Sequence, residues 1–284
     1  MLRRVRTIRK RALGDTLHHL AVRQLGSAME KLDSLLVIMD VHDPARLALA
    51  RGILLARHFG ARLELFLCDT QTAYELGHAY DGSEASNARE VNLETSQRYL
   101  ESTRRSMADD VAVTIHAACE SPLCEAVAHR VLSIAPDLVI KAAGRRGQTP
   151  GLDGDDWQVA RTCPAPLLLT HGRPWQVRPL FAVFNGSAAA TSGKVEAAAA
   201  FLARGVDAQL NALEAGHPVG GEVDLLIVAS EPPPRIGSMI YRPLDARLLG
   251  AQDCDILLID PSAPARRPAP SAPVGRSNGR PSSP

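Results

Sequence analysis

The sequence has few aromatic residues and lacks any apolar run long enough to cross a membrane. Phe, Trp and Tyr make up 4% of the 284 residues, although apolar residues together reach 45%. A core built from this composition consists mainly of Leu, Val, Ile and Ala. No segment approaches the roughly eighteen uninterrupted apolar residues of a transmembrane helix, and the N-terminus lacks the apolar stretch of a secretory signal. We therefore expect a globular cytoplasmic protein with two ordinary domains or one large domain.

The chain also lacks the cysteine patterns of disulfide-rich and zinc-binding proteins. Its five cysteines are an odd number in a long chain without an export signal, which fits free thiols in a reducing cytoplasm. Four residues separate Cys119 from Cys124, but no second Cys or His pair stands at zinc-ligand spacing. We therefore expect no metal site.

Motifs of nucleophilic or metal-assisted catalysis are missing as well. The sequence contains no Gly-x-Ser-x-Gly, no His-Glu-x-x-His and no paired-carboxylate motif. His42, His116 and His129 are scattered, and no cysteine lies in a motif that would lower the pKa of its thiol. We therefore predict a protein that is not an enzyme and has no cofactor.

Acidic residues are absent from both ends of the chain. Residues 1–11 contain six basic residues, and residues 261–284 contain four arginines. The part between keeps 22 of the 32 basic residues and all 31 acidic ones, a net charge of −9. Such an acidic body repels phosphate backbones. Contact with nucleic acid or a membrane would therefore have to come from the basic termini.

The two ends call for different interpretations. Residues 1–30 fit a basic amphipathic helix that touches lipid or RNA, a solvated extension, or a segment that is not translated if Met29 is the start. Residues 261–284 contain seven prolines among Ser, Ala, Arg and Gly. Because this tail buries too little apolar surface to offset its ordering entropy, we predict that it is disordered.

Strand-like and helix-like segments alternate between the ends. Apolar-rich segments predict strands at residues 34–40, 61–69, 111–116, 137–143 and 166–170, and the continuous apolar run at 34–40 is typical of a strand covered on both faces. Helical spacing and end signals predict helices at residues 44–60, 86–107, 122–135 and around 156–161. This alternation predicts a parallel sheet with right-handed crossovers.

The pattern then begins again in the second half of the chain. The first strand and helix match at an offset of 145 residues, which places Asn185 opposite Asp40 and Gly205 opposite Gly60. The strand at 224–230 matches 137–143 at an offset of only 87 residues, so the second copy lacks 58 residues. The missing part corresponds to the long helix, the third strand and the helix after it.

Several strand endings resemble those of the universal stress protein family, and within it the tandem-domain, UspE-type members. They are LLVIMD, DLVIKAAGRRGQ and, most specifically, DWQVARTCPAPLLL. The resemblance covers about residues 31–260. It implies a flavodoxin-like, Rossmann-like α/β fold with a five-stranded parallel sheet in the order 3-2-1-4-5. It also implies pairing of domains through their fifth strands, a cytoplasmic location and a binding or regulatory role in surviving stress.

On this basis we divide the chain into four parts. They are a basic extension (1–30), a complete first domain (31–174), a truncated second domain (175–260) and the tail (261–284). The second domain would keep strands in the order 2-1-4-5. Its strand 2 would then be an open edge, which favours a homodimer or docking of a flanking segment.

The fold places a candidate ligand site at the topological switch point, beyond the carboxyl ends of strands 1 and 4. There, Asp40 and Val41 would lie beside Gly144. The resemblance implies that nucleotide-binding members carry Gly-x2-Gly-x9-Gly-Ser/Thr after strand 4. Gly144 and Gly147 supply its first half, but Trp157 stands where the next glycine is due.

Three carboxylates stand in the same loop, at Asp153, Asp155 and Asp156. Without a metal ion they would repel a triphosphate. We therefore favour a small ligand or a protein partner, with ATP sensing as the alternative. In the structural interpretation of this loop, Asp155 or Asp156 caps the short helix and Trp157 anchors that helix on the sheet.

The individual candidate residues each have two interpretations. Asp40 faces a ligand or caps the next helix. Lys141 points into a cavity or, as we favour, reaches the surface along its apolar stem. Arg145 holds an anionic ligand or lies in a solvated loop. The complete set of candidate ligand contacts is Asp40, Val41, Lys141, Gly144, Arg145, Gly147 and Trp157.

Overall fold

A computed structural model describes nine stretches of the chain. They are residues 29–41, 46–78, 82–146, 149–150, 152–171, 173–184, 189–213, 222–229 and 254–260. The predicted basic extension up to residue 28 and the predicted disordered tail lie outside them, as do Gly147 and Asn185.

The first half of the chain contains seven described strands and five described helices. They are β1 (Ser34–Ile38), α1 (Leu47–Phe59), β2 (Arg62–Cys68), α2 (Thr70–His78), α3 (Gly82–Arg105), β3 (Val113–Ala118), α4 (Leu123–Ile134), β4 (Leu138–Ala142), β5 (Arg145–Arg146), β6 (Thr149–Pro150), α5 (Gly154–Thr162) and β7 (Leu167–Thr170). The described elements of the second half are β8 (Leu180–Phe184), α6 (Ala189–Gly205), β9 (Gln209–Leu213), β10 (Leu225–Ala229) and β11 (Asp255–Ile259).

Nine of these strands form one sheet in the order β3-β2-β1-β4-β7-β11-β10-β8-β9. The first five pair in parallel, which confirms the predicted α/β class and the strand order 3-2-1-4-5. The strands of the second half also pair in parallel with one another. The two halves meet where β7 and β11 pair antiparallel, with Leu168 opposite Leu257.

The helix α2 is absent from the sequence prediction. Its residues, TQTAYELGH, are mostly polar, and its apolar side is short, with Ala73 and Leu76 one turn apart. The helix begins after Asp69, whose side-chain Oδ1 accepts a hydrogen bond from the backbone N–H of Thr72 at 2.9 Å. A cap of this kind supports a helix start without any apolar periodicity.

Helices cover both faces of the sheet, so that two apolar layers form the core. On one face lie α1, α3 and α6, with Leu55, Leu100 and Leu202 fully buried. On the other face lie α4 and α5, with Val127 and Val159 fully buried. Removal of apolar surface from water in these layers is the dominant favourable contribution to folding.

The two halves share the junction around β7 and β11. The buried Arg51 on α1 donates from Nε to Oδ2 of Asp255 at 2.6 Å. Trp175 donates from Nε1 to the same oxygen at 2.9 Å, and its ring lies 4.0 Å from the Arg51 guanidinium carbon. The backbone N–H of His171 donates to the other carboxylate oxygen at 2.8 Å. Asp255 therefore accepts hydrogen bonds from three separate segments of the chain.

The ends of α1 and α6 also meet across this junction. The rings of Phe59 and Phe201 lie 5.3 Å apart. A Cβ added to Gly205 would stand 2.0 Å from the ring of Phe59, so the absence of a side chain at Gly205 permits the close approach. The contact with Phe59 therefore explains why residue 205 is glycine, although its backbone is not left-handed.

The second half repeats the strand order of the first, since β9, β8, β10 and β11 correspond in position to β2, β1, β4 and β7. The proposed match of Gly205 with Gly60 is wrong, however. Gly60 has φ 65° and ends α1, whereas the left-handed residue after α6 is Asp207, with φ 54°. In each case the next residue donates to the carbonyl five positions earlier. The offset is therefore 147 residues at this point.

Candidate functional site

The candidate site lies at the carboxyl ends of β1 and β4, which are neighbours in the sheet. β1 pairs with β2 on one side and with β4 on the other, so the connections diverge at this point. Asp40 and Val41 follow β1, and both are exposed, Val41 to 52%. Gly144 follows β4. The topology thus brings these three predicted residues to the same edge of the sheet.

A buried carboxylate occupies the loop after β4. Asp156 is fully buried, and its Oδ1 accepts a hydrogen bond from the Lys141 ammonium at 2.5 Å. Its Oδ2 accepts from the backbone N–H of Gly144 at 2.8 Å and from that of Asp153 at 3.0 Å. Both carboxylate oxygens therefore have partners, as a buried charge requires.

Asp156 holds this position because α5 begins with a capping box. The N-cap residue is Asp153, which accepts from the backbone N–H of Asp156 at 2.8 Å, while Asp156 accepts in return from Asp153. The expectation that Asp155 or Asp156 is the N-cap is therefore wrong. The N-cap is Asp153, and Asp156 takes part as the N3 residue of the capping box. The signal that identifies the cap is an acidic residue followed three positions later by a second acceptor.

Position 144 has no room for a side chain, because the loop residue Asp153 packs against the α-carbon of Gly144. A Cβ at this position would stand 1.9 Å from Oδ2 of Asp153. The space beside the Gly144 α-carbon is therefore occupied by the Asp153 carboxylate. The loop continues into the two-residue hairpin of β5 and β6, which contains Arg145.

Lys141 follows neither of the two predicted alternatives. Its side chain is 12% exposed, and its ammonium donates to Asp156 and to the backbone oxygen of Ala142 at 3.0 Å. The stem therefore neither extends to the surface nor directs a charge into an open cavity. The ion pair joins β4 to the first turn of α5.

Trp157 is half-buried and packs against the apolar layer beneath α4 and α5. This placement agrees with an anchor for the short helix. Asp40 lies six residues before Arg46, the N-cap of α1, so the alternative that Asp40 is that cap is wrong. Gly147, the remaining predicted contact, lies outside the described residues.

A second concave surface lies beyond the carboxyl end of β3, between α2 and α3. This cleft has a volume of about 420 Å³. Arg89, one of its lining residues, donates to the backbone oxygen of Cys119 at 3.0 Å. Sequence reasoning missed the cleft because it did not predict α2, which forms one wall. The lining residues are Ala73, Leu76, Gly77, Ser86, Arg89, Cys119, Glu120 and Ser121.

The thiols are poorly suited to nucleophilic chemistry. All five cysteines are free, and burial raises the pKa of each thiol above its ordinary value. The pKa reaches about 11 at Cys68 and about 12 at Cys163 and Cys254. Since the thiolate is the reactive form, these groups are unreactive near neutral pH.

In the described stretches, no group of three or more His, Cys, Asp or Glu side chains is placed to hold a metal ion. None of the helices that the structure describes combines the length and apolarity needed to cross a bilayer.

The fold is similar to that of several solved structures, two of which are of universal stress proteins. A functionally unknown protein from Pseudomonas aeruginosa, PA1789, has a TM-score of 0.61 at 18% identity, covering 84% of this chain and 95% of that one. A putative universal stress protein from P. aeruginosa UCBPP-PA14 has a TM-score of 0.60 at 18% identity, covering 83% and 96%. A universal stress protein from Archaeoglobus fulgidus has a TM-score of 0.59 at 7% identity, covering 80% and 98%.

In sequence, the chain is similar to universal stress protein E. It is 23% identical over 150 residues to the Escherichia coli K12 protein and 24% identical over 150 residues to that of Photorhabdus laumondii. Each alignment covers 52% of this chain and 48% of the relative, so the match spans about half the length of these curated relatives. No protein-family model matches the chain. Together these similarities support a relationship with the universal stress protein family.

Proposed function

We propose that the chain is a non-enzymatic stress-response protein of the universal stress protein type, which acts in the cytoplasm by binding a small ligand or a protein partner. The similarity to universal stress protein E and the fold support the family role. The observation that carries the binding part of the proposal is the Asp156 carboxylate, which occupies the switch point of the sheet.

A phosphate group bound at this point would need donors that are already in use. The N–H groups of Gly144 and Asp153 and the ammonium of Lys141 all donate to Asp156. An entering triphosphate would have to displace this carboxylate from its partners and then lie beside it. Like charges at about 4 Å repel by about 4 kcal/mol at the effective dielectric constant of a protein surface. The nucleotide-sensing alternative is therefore less well supported than binding of another ligand.

We also propose that the second half is a shortened copy of the first. Its strand order supports this view, and so does a shared carboxylate contact at the amino end of the sheet. Asp137, before β4, accepts from the backbone N–H of Ser34 at 2.9 Å, and Asp224, before β10, accepts from that of Leu180 at 2.9 Å. The same contact at the same place in each half is expected if the two halves share an origin.

The stress role is tested by survival of the source organism. We expect a strain that lacks this protein to survive starvation or oxidative exposure less well than its parent, and a plasmid copy of the full chain to restore survival. Equal survival of the deletion strain under a panel of such stresses would contradict the stress role.

The ligand class is tested by thermal unfolding of the full chain with Mg-ATP. We expect no change in Tm up to millimolar nucleotide. A ligand present at about one hundred times its Kd would raise the free energy of unfolding by about 2.7 kcal/mol, so binding would be plain. A clear rise in Tm, lost on removing Mg-ATP by dialysis, would favour the nucleotide sensor instead. Native mass spectrometry of the protein purified from its own host then identifies any retained ligand.

A further inference from the structure

The strand β9 presents an open edge of the sheet. Among the strands that the structure describes, β9 is the last of the nine and pairs only with β8. The side chains of its first four residues are exposed, Leu210 to 37%, and Leu213 is half-buried. Among the described elements, none buries the side chains of these four residues.

Edge strands usually carry features that prevent pairing with another chain, such as charged residues, proline or a bulge. The sequence of β9, Gln-Leu-Asn-Ala-Leu, has no charge and no proline, and its register with β8 is continuous over all five residues. The edge at the opposite end of the sheet differs, because α3 packs over β3 and leaves its side chains mostly half-buried or buried. Both outer strands of the described sheet have one neighbour, and β9 is the one whose side chains are largely exposed.

The backbone direction shows which groups are free to pair. The N–H of Gln209 donates to the backbone oxygen of Pro179, on the β8 side, at 2.8 Å. Because backbone groups alternate along a strand, Gln209, Asn211 and Leu213 direct their N–H and C=O groups toward β8. Leu210 and Ala212 therefore direct theirs outward.

We propose that β9 pairs antiparallel with β9 of a second copy of this chain around a two-fold axis through Asn211. In this arrangement Leu210 lies opposite Ala212 of the other copy, and the two such pairs exchange four backbone hydrogen bonds. A strand centred on a two-fold axis is complementary to itself, and an uncharged strand meets its copy without like-charge repulsion. Two nine-stranded sheets thereby become one continuous sheet across the dimer.

The expected dimer is weak, because one pair of five-residue strands buries less surface than a standard stable interface. Sedimentation velocity of the full chain over a wide range of concentrations therefore tests the proposal. We expect a concentration-dependent shift from monomer to dimer. A chain that stays monomeric at the highest soluble concentration overturns it.

Two variants test whether the dimer interface lies on β9. Ala212→Pro removes an outward N–H that β8 does not use, which deletes two of the four hydrogen bonds, and we expect it to raise the dissociation constant about tenfold or more. Asn211→Lys places two positive charges opposite each other on the axis, and we expect a several-fold rise. The control Val91→Lys adds the same charge at an exposed position of α3 and should leave dimerisation unchanged. Circular dichroism and thermal unfolding check that each variant folds.

A charge-exchange experiment distinguishes self-pairing from other occupants of the edge. Asn211→Lys and Asn211→Asp should each dimerise poorly, while an equimolar mixture should form a heterodimer at least as tight as the wild type. A wild-type dimer that none of the β9 variants weakens would assign dimerisation to another surface. A wild-type monomer that dimerises only after residues 1–28 are removed would show that this segment covers β9. Either outcome overturns the proposal.

Discussion

The two halves of the sheet share a strand order but differ in how they are covered. In the first half, α1 and α3 lie on one face and α4 and α5 on the other, and α3 shields the outer strand β3. In the second half, α6 is the one described helix, and β9 is exposed. The inner strands are nevertheless buried in both halves, since Ala182, Leu226 and Ile256 are at most 1% exposed. Among the described elements, the second half thus combines an exposed edge strand with a buried interior.

This comparison indicates that the second half depends on the junction more than the first half does. Its outer strand is exposed except for the half-buried Leu213, whereas β11 is buried throughout and meets β7, Arg51 and Trp175. A smaller unit buries a smaller fraction of its surface on folding, so the second half has less stability of its own. We therefore expect that the whole sheet unfolds cooperatively and that changes at the junction have the largest effects.

The largest expected effect comes from Asp255→Ala. The change leaves the buried Arg51 without its anion and removes the acceptor of Trp175 Nε1 and His171 N–H. Breaking a buried ion pair from one side costs about 3 to 5 kcal/mol. Urea unfolding followed by circular dichroism measures the loss. Asp110→Ala, which breaks the exposed pair with Arg57, is the control and should change stability little. Equal effects of the two substitutions would show that the junction does not stabilise the second half.

The second-largest expected effect is the pH dependence of stability that arises from the Asp255 carboxylate. Burial, the largest influence, raises the pKa of Asp255 to about 6, and it outweighs the opposing influence of Arg51 and the other donors. The unfolded chain releases this proton near the ordinary pKa of about 4. Since the folded state holds the proton to higher pH, its stabilising contribution is complete below pH 4 and is lost as pH rises through 6.

The measurement is the free energy of unfolding of wild type minus that of Asp255→Asn, from pH 4 to pH 7. This difference isolates Asp255 from the other titrating groups. We expect it to fall by on the order of 2 to 3 kcal/mol as the pH rises, because a shift of one pKa unit corresponds to about 1.4 kcal/mol. A difference that increases with pH would mean that the pairing with Arg51 outweighs burial.

The sequence was sufficient for the strands of the first half, because buried parallel strands such as 137–143 are rich in apolar residues, whereas their order was implied by the resemblance to universal stress proteins. It also located the switch point, where Asp40, Val41 and Gly144 reach the same edge. It could not identify the ion pair between Lys141 and Asp156, because a lysine within an apolar strand is equally compatible with a surface position. Nor could it identify the contact of Arg51 with Asp255, since the two residues lie 204 positions apart and no local pattern connects them.

The internal match at the end of the first helix failed for a related physical reason. Glycine at position 205 looked like the helix-ending glycine at position 60, but Gly205 is glycine because of the Phe59 ring. The residue that adopts the left-handed conformation in the second half is Asp207. Aspartate tolerates this conformation better than most residues, so a turn can be conserved in geometry without a glycine in the sequence.

Substitutions at Gly60 and Asp207 have the smallest expected effect on the free energy of unfolding. They also compare the two halves most directly. Both residues are exposed, and a Cβ at Gly60 would meet nothing within 4 Å. Substitutions here therefore change backbone preference with little change in packing. We expect Gly60→Asp to lower the free energy of unfolding by about 0.5 to 1 kcal/mol and Asp207→Gly to raise it by a similar amount, because a non-glycine residue in this conformation costs up to about 1 to 2 kcal/mol. The double exchange should restore wild-type stability within about 0.5 kcal/mol, since the sites are independent. Urea unfolding of the three variants measures these changes. If Asp207→Gly lowers stability, the aspartate side chain contributes a contact that the first half lacks, and the two turns are equivalent in geometry alone.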